Sequence, residues 1–244
     1  MIDYYSLSMG ISNVTSCSVS KRLCFVIFYT GITGRPQPQF QYAAETWKSE
    51  MLSRGVFNPT QGIFLMEGVK SEGDFRIAWN KIYRTANDGG YQVFAGNLFT
   101  HSSAPHNFLG KEYKQTGLEF ARSGEPSTKK SDDGTLTSKE VLSLRKLPWE
   151  KSFGHLILSG CNSGLSGKGG VASAMAFRQK VAIVGLMRTS RFSKAHNTYK
   201  EVSDRDKKIY LWSYDSDSGV DIATKGSSFS GGTGMRVPGK VFIP

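Results

Sequence analysis

The chain has 244 residues, of which 39% are hydrophobic and 21% charged, with a formal net charge of +11 at pH 7. This composition is ordinary for a globular protein with a buried core, and no stretch approaches the ~20 apolar residues of a membrane-spanning helix. The N-terminus lacks the pattern of a secretory signal, and Cys17, Cys24 and Cys161 lack metal-site spacing. We therefore expect free thiols, no metal or other cofactor, no membrane partner, and a reducing compartment, the cytoplasm, although delivery by a specialised secretion system would leave the same pattern.

The positive charge favours solubility or an acidic partner. Basic residues are spread through the chain and occur only in short runs such as Lys129-Lys130 and Arg145-Lys146. A nucleic-acid-binding arm would be more clustered, and no reader motif is present. Nucleic acid is therefore the less favoured partner.

Hydrophobic periodicity predicts strands that alternate with helices. The apolar run "LCFVIFYTG" (23–31) is typical of a strand buried on both faces, and apolar residues recur at helical spacing over 40–54 and 71–83. Further elements are predicted as strands at 62–68, 91–101, 155–159, 180–187 and 208–215, a helix at 171–179, and a helix that begins at a Thr137–Glu140 capping box and ends at Pro148. This alternation predicts an α/β protein, a three-layer αβα sandwich around a mostly parallel six-stranded sheet.

Two segments interrupt the pattern. Residues 102–134 are rich in Ser, Gly, Lys and Asp, which predicts a long loop or insertion that could shape a substrate groove or hold an activity off until a partner or cleavage rearranges it. The tail is rich in Gly and Ser. We therefore predict one domain over 1–215, followed by a loosely packed C-terminal extension over 216–244.

Chemistry in parallel sheets gathers at the carboxyl ends of the strands, where this chain places His101 and Cys161. Neighbouring strands lie ~4.8 Å apart, so the two side chains meet if the strands 91–101 and 155–159 are adjacent. A thiol paired with an imidazole can act as a nucleophile. The alternative is a buried small cysteine and a polar histidine at a strand end. His106 competes with His101, whereas His155 and His196 are expected at the surface.

The loop after Cys161 resembles two other motifs incompletely. A phosphate-binding loop would match at Gly167-Lys168 but fails at Asn162 and Gly169. A nucleophile elbow centred on Ser166 fails because Lys168 replaces the last glycine.

A strand that ends in histidine, then "DDGTLTSKEVLSLRKLPW", then "GHLILSGCNSGLSGKGGVASAMAFRQKVAIVGLM", resembles the caspase-like (clan CD) cysteine peptidases, and within them the CHAT and separase-related branch. The resemblance covers roughly residues 91–187. It implies a caspase-like αβα sandwich in which Cys161 attacks the scissile carbonyl and His101 acts as acid and base. The oxyanion would be bound by backbone at Ser102, at Cys161 and its neighbour Gly160.

The chain departs from that family at two positions. The family has glycine next to the histidine, where this chain has Ser102, and relatives specific for a basic P1 residue carry aspartate where this chain has Ser159. Arg188 and Arg191 follow the fifth predicted strand and, with Ser159, are candidate substrate contacts that would favour an acidic or polar P1 residue. The alternative is that both arginines are simply exposed.

The sequence thus predicts a cysteine endopeptidase that cleaves protein substrates through an acyl-enzyme intermediate, without metal or nucleotide, and that could have a regulatory protein partner. The alternatives are an inactive caspase-like binding module, favoured by Ser102, and a basic nucleic-acid-binding protein, favoured only by the charge.

Overall fold

A computed structural model describes residues 21–32, 35–53, 55–103, 117–120, 134–164, 170–186, 189–191, 212–214 and 239–244. The strands are β1 (Arg22–Tyr29), β2 (Gly31–Ile32), β3 (Arg35–Pro36), β4 (Gly62–Val69), β5 (Gln92–Phe99), β6 (His101–Ser103), β7 (Gly117–Glu119), β8 (Thr135–Thr137), β9 (His155–Leu158), β10 (Ala182–Leu186), β11 (Thr189–Arg191), β12 (Trp212–Tyr214) and β13 (Gly239–Phe242). The helices are α1 (Pro38–Ser53), α2 (Glu72–Gly89), α3 (Ser138–Val141) and α4 (Val171–Gln179). No helix in these ranges is long and apolar enough to cross a bilayer.

The central sheet has six strands in the order β13-β10-β9-β5-β1-β4. Its strands run parallel except β13, which pairs antiparallel with β10. The predicted α/β class and mostly parallel six-stranded sheet are therefore confirmed.

Helices cover both faces of this sheet. Successive side chains of a strand point to opposite faces. Cys24 accordingly packs with Met51 of α1, whereas Phe25 packs edge-on against Trp79 of α2, with ring centroids 5.8 Å apart. The ring centroid of Phe25 also lies 6.0 Å from that of Trp149. The Trp149 indole N–H donates a hydrogen bond to the side chain of Gln179, the last residue of α4. Thus α1 lies on one face, and α2 and α4 lie on the other.

The predicted helical faces of α1 and α2 are buried as expected, and α4 has the predicted bounds. Helix α2 extends further than 71–83, to Gly89, because its buried stripe continues through Ala86. It ends at Gly90, which adopts a left-handed conformation (φ 65°) that glycine tolerates.

Helix α3 is shorter than predicted, although its capping box is present. Its last predicted turn does not form because side chains take over the backbone groups there. Trp79 donates to the Arg145 carbonyl (2.8 Å), and Gln179 accepts from the Leu147 N–H (3.0 Å). Leu147 is still buried.

The long 102–134 segment is not simply a loop. Strands β6, β7 and β8 form a small antiparallel sheet, and Leu118 and Phe120 are fully buried. Phe120 packs on Phe75 of α2, with ring centroids 5.1 Å apart. These two apolar residues therefore anchor the segment to the core, while 104–116 and 121–133 lie outside the described residues.

The sixth strand is not the predicted 208–215. Within that range, β12 pairs with β11 in a separate two-stranded sheet, and 208–211 and 215 lie outside the described residues. The sixth strand is β13, from the segment expected to be a loosely packed extension. Val241 and Phe242 pair with Val184 and Ile183 of β10, because they form a short apolar run that the Gly- and Ser-rich composition around it obscures.

We expect Gln179→Ala to lower the free energy of unfolding by about 2–4 kcal/mol. Gln179 is fully buried and its Oε1 accepts from the Leu147 N–H (3.0 Å) and the Trp149 indole N–H (3.2 Å). Alanine would leave both buried donors without an acceptor. Urea denaturation measures the difference. Phe177→Ala, at an exposed position of the same helix, is the control and should change stability by less than about 0.5 kcal/mol.

Candidate functional site

The register between β5 and β9 decides which residues meet at the carboxyl edge of the sheet. The strands are parallel neighbours with Leu98 opposite Leu158 as the last pair, and the Ser159 N–H continues the ladder to the Leu98 carbonyl (2.9 Å). Counted on from that pair, position 101 falls opposite position 161. His101 and Cys161 thus lie equally far beyond the last pair of two adjacent strands, and this adjacency is the condition for the predicted pair.

The two chain segments touch at Gly160. A Cβ atom on Gly160 would lie 2.5 Å from the Ser102 Cβ, 3.1 Å from the Thr100 carbonyl oxygen and 3.4 Å from the His101 carbonyl carbon. Only glycine fits so close to another backbone. The residue before Cys161 is therefore packed directly on the backbone of His101.

The rest of the cysteine loop is held against the end of β10. The Ser163 hydroxyl donates to the Leu158 carbonyl (2.7 Å) and accepts from the Leu186 N–H (2.9 Å). The Gly164 N–H donates to the Leu186 carbonyl (2.8 Å), and a Cβ on Gly164 would lie 2.5 Å from the Gly185 oxygen. The small residues of this loop thus let it fit between the ends of two strands. Ser166, Gly167, Lys168 and Gly169, on which the two other motifs depended, lie outside the described residues.

The two cysteines in the described part of the chain have different environments. Cys24 is fully buried in β1, as expected, and burial raises the pKa of its thiol far above the ordinary value. Cys161 is half-buried and forms no disulfide. Cys161 is therefore the more accessible thiol of the two; Cys17 lies outside the described residues.

Two aromatic rings flank the His101 imidazole. Its centroid lies 4.9 Å from that of Phe40 at an interplanar angle of 85°, and 5.7 Å from that of Tyr29 at 63°. The sequence pattern predicts Phe40 and Tyr29 only as buried residues of a helix and a strand. The available signal was that Tyr29 ends β1 at the edge where His101 follows β5.

Ser159, a candidate substrate contact, is fully buried, and its hydroxyl donates to the Asn97 Oδ1 (2.7 Å). Asn97 is also fully buried and was missed in the sequence, although an asparagine in an apolar strand was a signal. Within the described residues, the Asn97 Nδ2, Thr100 Oγ1, Ser102 Oγ and Asn162 Oδ1 atoms are buried without a hydrogen-bond partner. Such atoms are rare in proteins, and here they lie close in sequence to His101 and Cys161.

The backbone N–H of Ser102 points away from β7. Residues of an antiparallel ladder alternate between exchanging both backbone hydrogen bonds and exchanging none. Because the Phe120 N–H bonds the Gly134 carbonyl (2.7 Å), Leu118, two residues earlier, directs its backbone groups to β8. Ser102 lies opposite Leu118, so its N–H is not used by β7.

The structure does not describe the side chains of the remaining candidates. Arg188, His106 and His196 lie outside the described residues, and Arg191 is described only as backbone in β11.

His155 begins β9 at the opposite edge of the sheet and is half-buried, not on the surface as expected. Its Nδ1–H donates to the Phe153 carbonyl (3.0 Å), and its ring packs on Phe94. Burial lowers its pKa. His155 is therefore no competitor of His101 for Cys161.

No protein family, curated protein or solved structure matched this chain when it was compared with them.

Acidification should weaken the fold through His155. Because its pKa is lowered in the folded state, the unfolded chain binds the proton more readily, so the free energy of unfolding should fall as the pH drops below the ordinary histidine value of about 6.5. Denaturant titrations at several pH values between 7.5 and 5 measure this slope. His155→Gln should flatten it, and an unchanged slope in that variant would contradict the assignment.

Gly160→Ala should destabilise the protein by about 1–3 kcal/mol, because the added methyl group overlaps Ser102. Removing the overlapped group should restore part of the loss. The double variant Gly160→Ala/Ser102→Gly should therefore lose less free energy of unfolding than its two single variants lose together. A double-mutant cycle from thermal or urea unfolding measures this difference. Strictly additive effects would show that the two residues do not clash.

Proposed function

We propose that this chain is a caspase-like cysteine endopeptidase with Cys161 as nucleophile and His101 as acid and base. The observation that carries the proposal is the register of β5 and β9, which sets both residues at the same carboxyl edge. Edges of this kind hold the reactive groups in open α/β sheets.

The proposed reaction has two halves. The Cys161 sulfur, as thiolate, attacks the scissile carbonyl carbon, and the imidazolium of His101 gives its proton to the departing amine as the C–N bond breaks. The resulting thioester is then attacked by water, whose proton passes to His101, and the carboxylic acid leaves with Cys161 restored. The chain's own thiol and imidazole supply both covalent and proton-transfer steps.

Backbone N–H groups would stabilise the oxyanion of each tetrahedral intermediate. The N–H of Cys161 lies at the nucleophile itself, and the N–H of Ser102 is directed away from β7 on the segment that Gly160 contacts. Two such donors stabilise charge that develops only in the transition state. The serine at 102 does not remove this donor, because only proline lacks the N–H.

The caspase-like fold is part of the proposal. The mostly parallel sheet with α1 on one face and α2 and α4 on the other is compatible with it. The substrates would be proteins, and the enzyme would act in the cytoplasm, where its thiols stay reduced. The inactive binding module differs from the enzyme in reactivity alone, so a chemical probe separates the two.

The experiment is covalent labelling of the folded protein by a thiol-reactive peptidyl acyloxymethyl ketone that forms a thioether only with an activated thiol. Wild-type protein should be labelled on one cysteine, identified by mass spectrometry as Cys161. Cys161→Ala should abolish labelling, and His101→Ala should slow it by roughly 100-fold or more, the contribution typical of a positioned general acid or base.

Cys24→Ala is the matched control, because Cys24 is fully buried and burial disfavours its thiolate. This variant should be labelled at the wild-type rate. Labelling that survives Cys161→Ala, or that is unaffected by His101→Ala, would refute the proposed pair. A protein that is folded and never labelled would support the inactive binding module, or a zymogen that a partner or cleavage must first rearrange.

A further inference from the structure

We propose that Phe40 and Tyr29 are positioning residues that fix the orientation of the His101 imidazole at the carboxyl edge of the sheet. This inference rests on the proposed role of His101 as acid and base. It assigns to two core residues the task of holding that base toward Cys161.

The three rings contact one another pairwise. The ring centroid of His101 lies 4.9 Å from that of Phe40 and 5.7 Å from that of Tyr29, and the centroids of Tyr29 and Phe40 lie 5.9 Å apart. The interplanar angles of the three pairs lie between 63° and 85°. Edge-to-face contacts at these distances are the favoured arrangement of aromatic pairs. Since Tyr29 and Phe40 are 1% and 2% exposed, the imidazole cannot turn without displacing buried rings.

Backbone hydrogen bonds hold Phe40 over the end of β1. After Tyr29 the chain turns through β2 and β3, and the Gln37 N–H returns to the Thr30 carbonyl (2.9 Å). The Thr30 N–H in turn bonds the Val69 carbonyl at the end of β4 (2.9 Å). Helix α1 begins immediately afterwards, so Phe40 lies in its first turn with its position set by two strands.

Tyr29 is placed by the sheet itself. It is the last residue of β1, and β1 pairs with β5 up to Phe28 opposite Phe99. The next position on each strand brings Tyr29 opposite Thr100, directly before His101. The flanking rings therefore come from β1 and α1, while the imidazole comes from the segment after β5.

This packing is suited to a catalytic base. A base usually needs a third group to orient it. Contacts through the faces and edges of aromatic rings orient the imidazole through its carbon framework, and they leave the ring nitrogen that exchanges protons with thiol, amine and water to that task. A purely structural cluster at this position would be served as well by a third apolar ring.

The test combines two measurements on the full-length protein. The first is the NMR signals of the His101 ring protons in histidine-labelled protein, which has four histidines, with His101→Gln as the assignment standard. The second is the labelling of Cys161 by the acyloxymethyl ketone over a range of probe concentrations. The variants are Phe40→Leu, Phe40→Tyr and Phe57→Leu; Phe57 is equally buried but belongs to the separate cluster around Cys24.

Phe40→Leu should shift the His101 ring signals and lower the maximal labelling rate roughly 3- to 10-fold, the loss expected for one aromatic contact, with the half-saturating probe concentration unchanged. Phe40→Tyr should restore both. Phe57→Leu should leave both at wild-type values even where it lowers the thermal midpoint as much.

Unshifted His101 signals in Phe40→Leu would overturn the inference. So would an equal loss of labelling rate in Phe40→Leu and Phe57→Leu, since reduced stability would then be the cause. The failure of the proposed function has a different signature. Wild-type protein that is never labelled, while Phe40→Leu still shifts the His101 signals, would count against an active peptidase and establish the packing.

Discussion

The arrangement of the site depends on the close contact between two backbones at Gly160. At that point the chain leaving β9 packs on residues 100–102, which leave β5, at distances that no side chain at Gly160 would allow. The contact fixes the two strand ends relative to each other where the ladder between them ends. A shift of one residue in register would turn Cys161 to the other face of the sheet. The placement of Cys161 and His101 at the same edge of the sheet is therefore a property of backbone packing rather than of the two side chains.

The interior of the protein changes in character toward this edge. Strand β1 is apolar from Leu23 to Phe28 and is covered on both faces. Near the carboxyl end of the ladder between β5 and β9, buried polar atoms without described partners appear in Asn97 within the ladder and in Thr100, Ser102 and Asn162 beyond it. Local departures from good polar pairing in an otherwise consistent fold are expected at functional positions. This contrast supports the carboxyl edge as the site independently of the family resemblance.

Much of the fold could be predicted because periodicity records which side chains are buried. The stripes of α1, α2 and α4 and the apolar run of β1 carry that signal directly. The end of α3 could not be predicted, because long-range hydrogen bonds from Trp79 and Gln179 replace the helical ones there. The sequence also predicted that His101 and Cys161 each lie at the carboxyl end of a strand. The proposed role of Phe40 and Tyr29 could not be predicted, because an aromatic residue that orients a histidine has the same pattern as one that only fills the core.

The structure also gives physical reasons for the two departures from the caspase-like pattern. Two backbones can approach this closely only if one of them has a glycine at the contact. Here that glycine is Gly160, and the Ser102 Cβ occupies the space that a side chain at Gly160 would need. A serine beside the histidine is thus compatible with the close backbone contact at Gly160. At position 159 the side chain is fully buried against Asn97. A carboxylate there would need a compensating charge, which Asn97 lacks, whereas a neutral hydroxyl needs only the hydrogen bond that Asn97 accepts. The two substitutions therefore belong with their neighbours, Ser102 with Gly160 and Ser159 with Asn97, and neither by itself removes the thiol, the imidazole or the backbone donors on which the proposed chemistry depends.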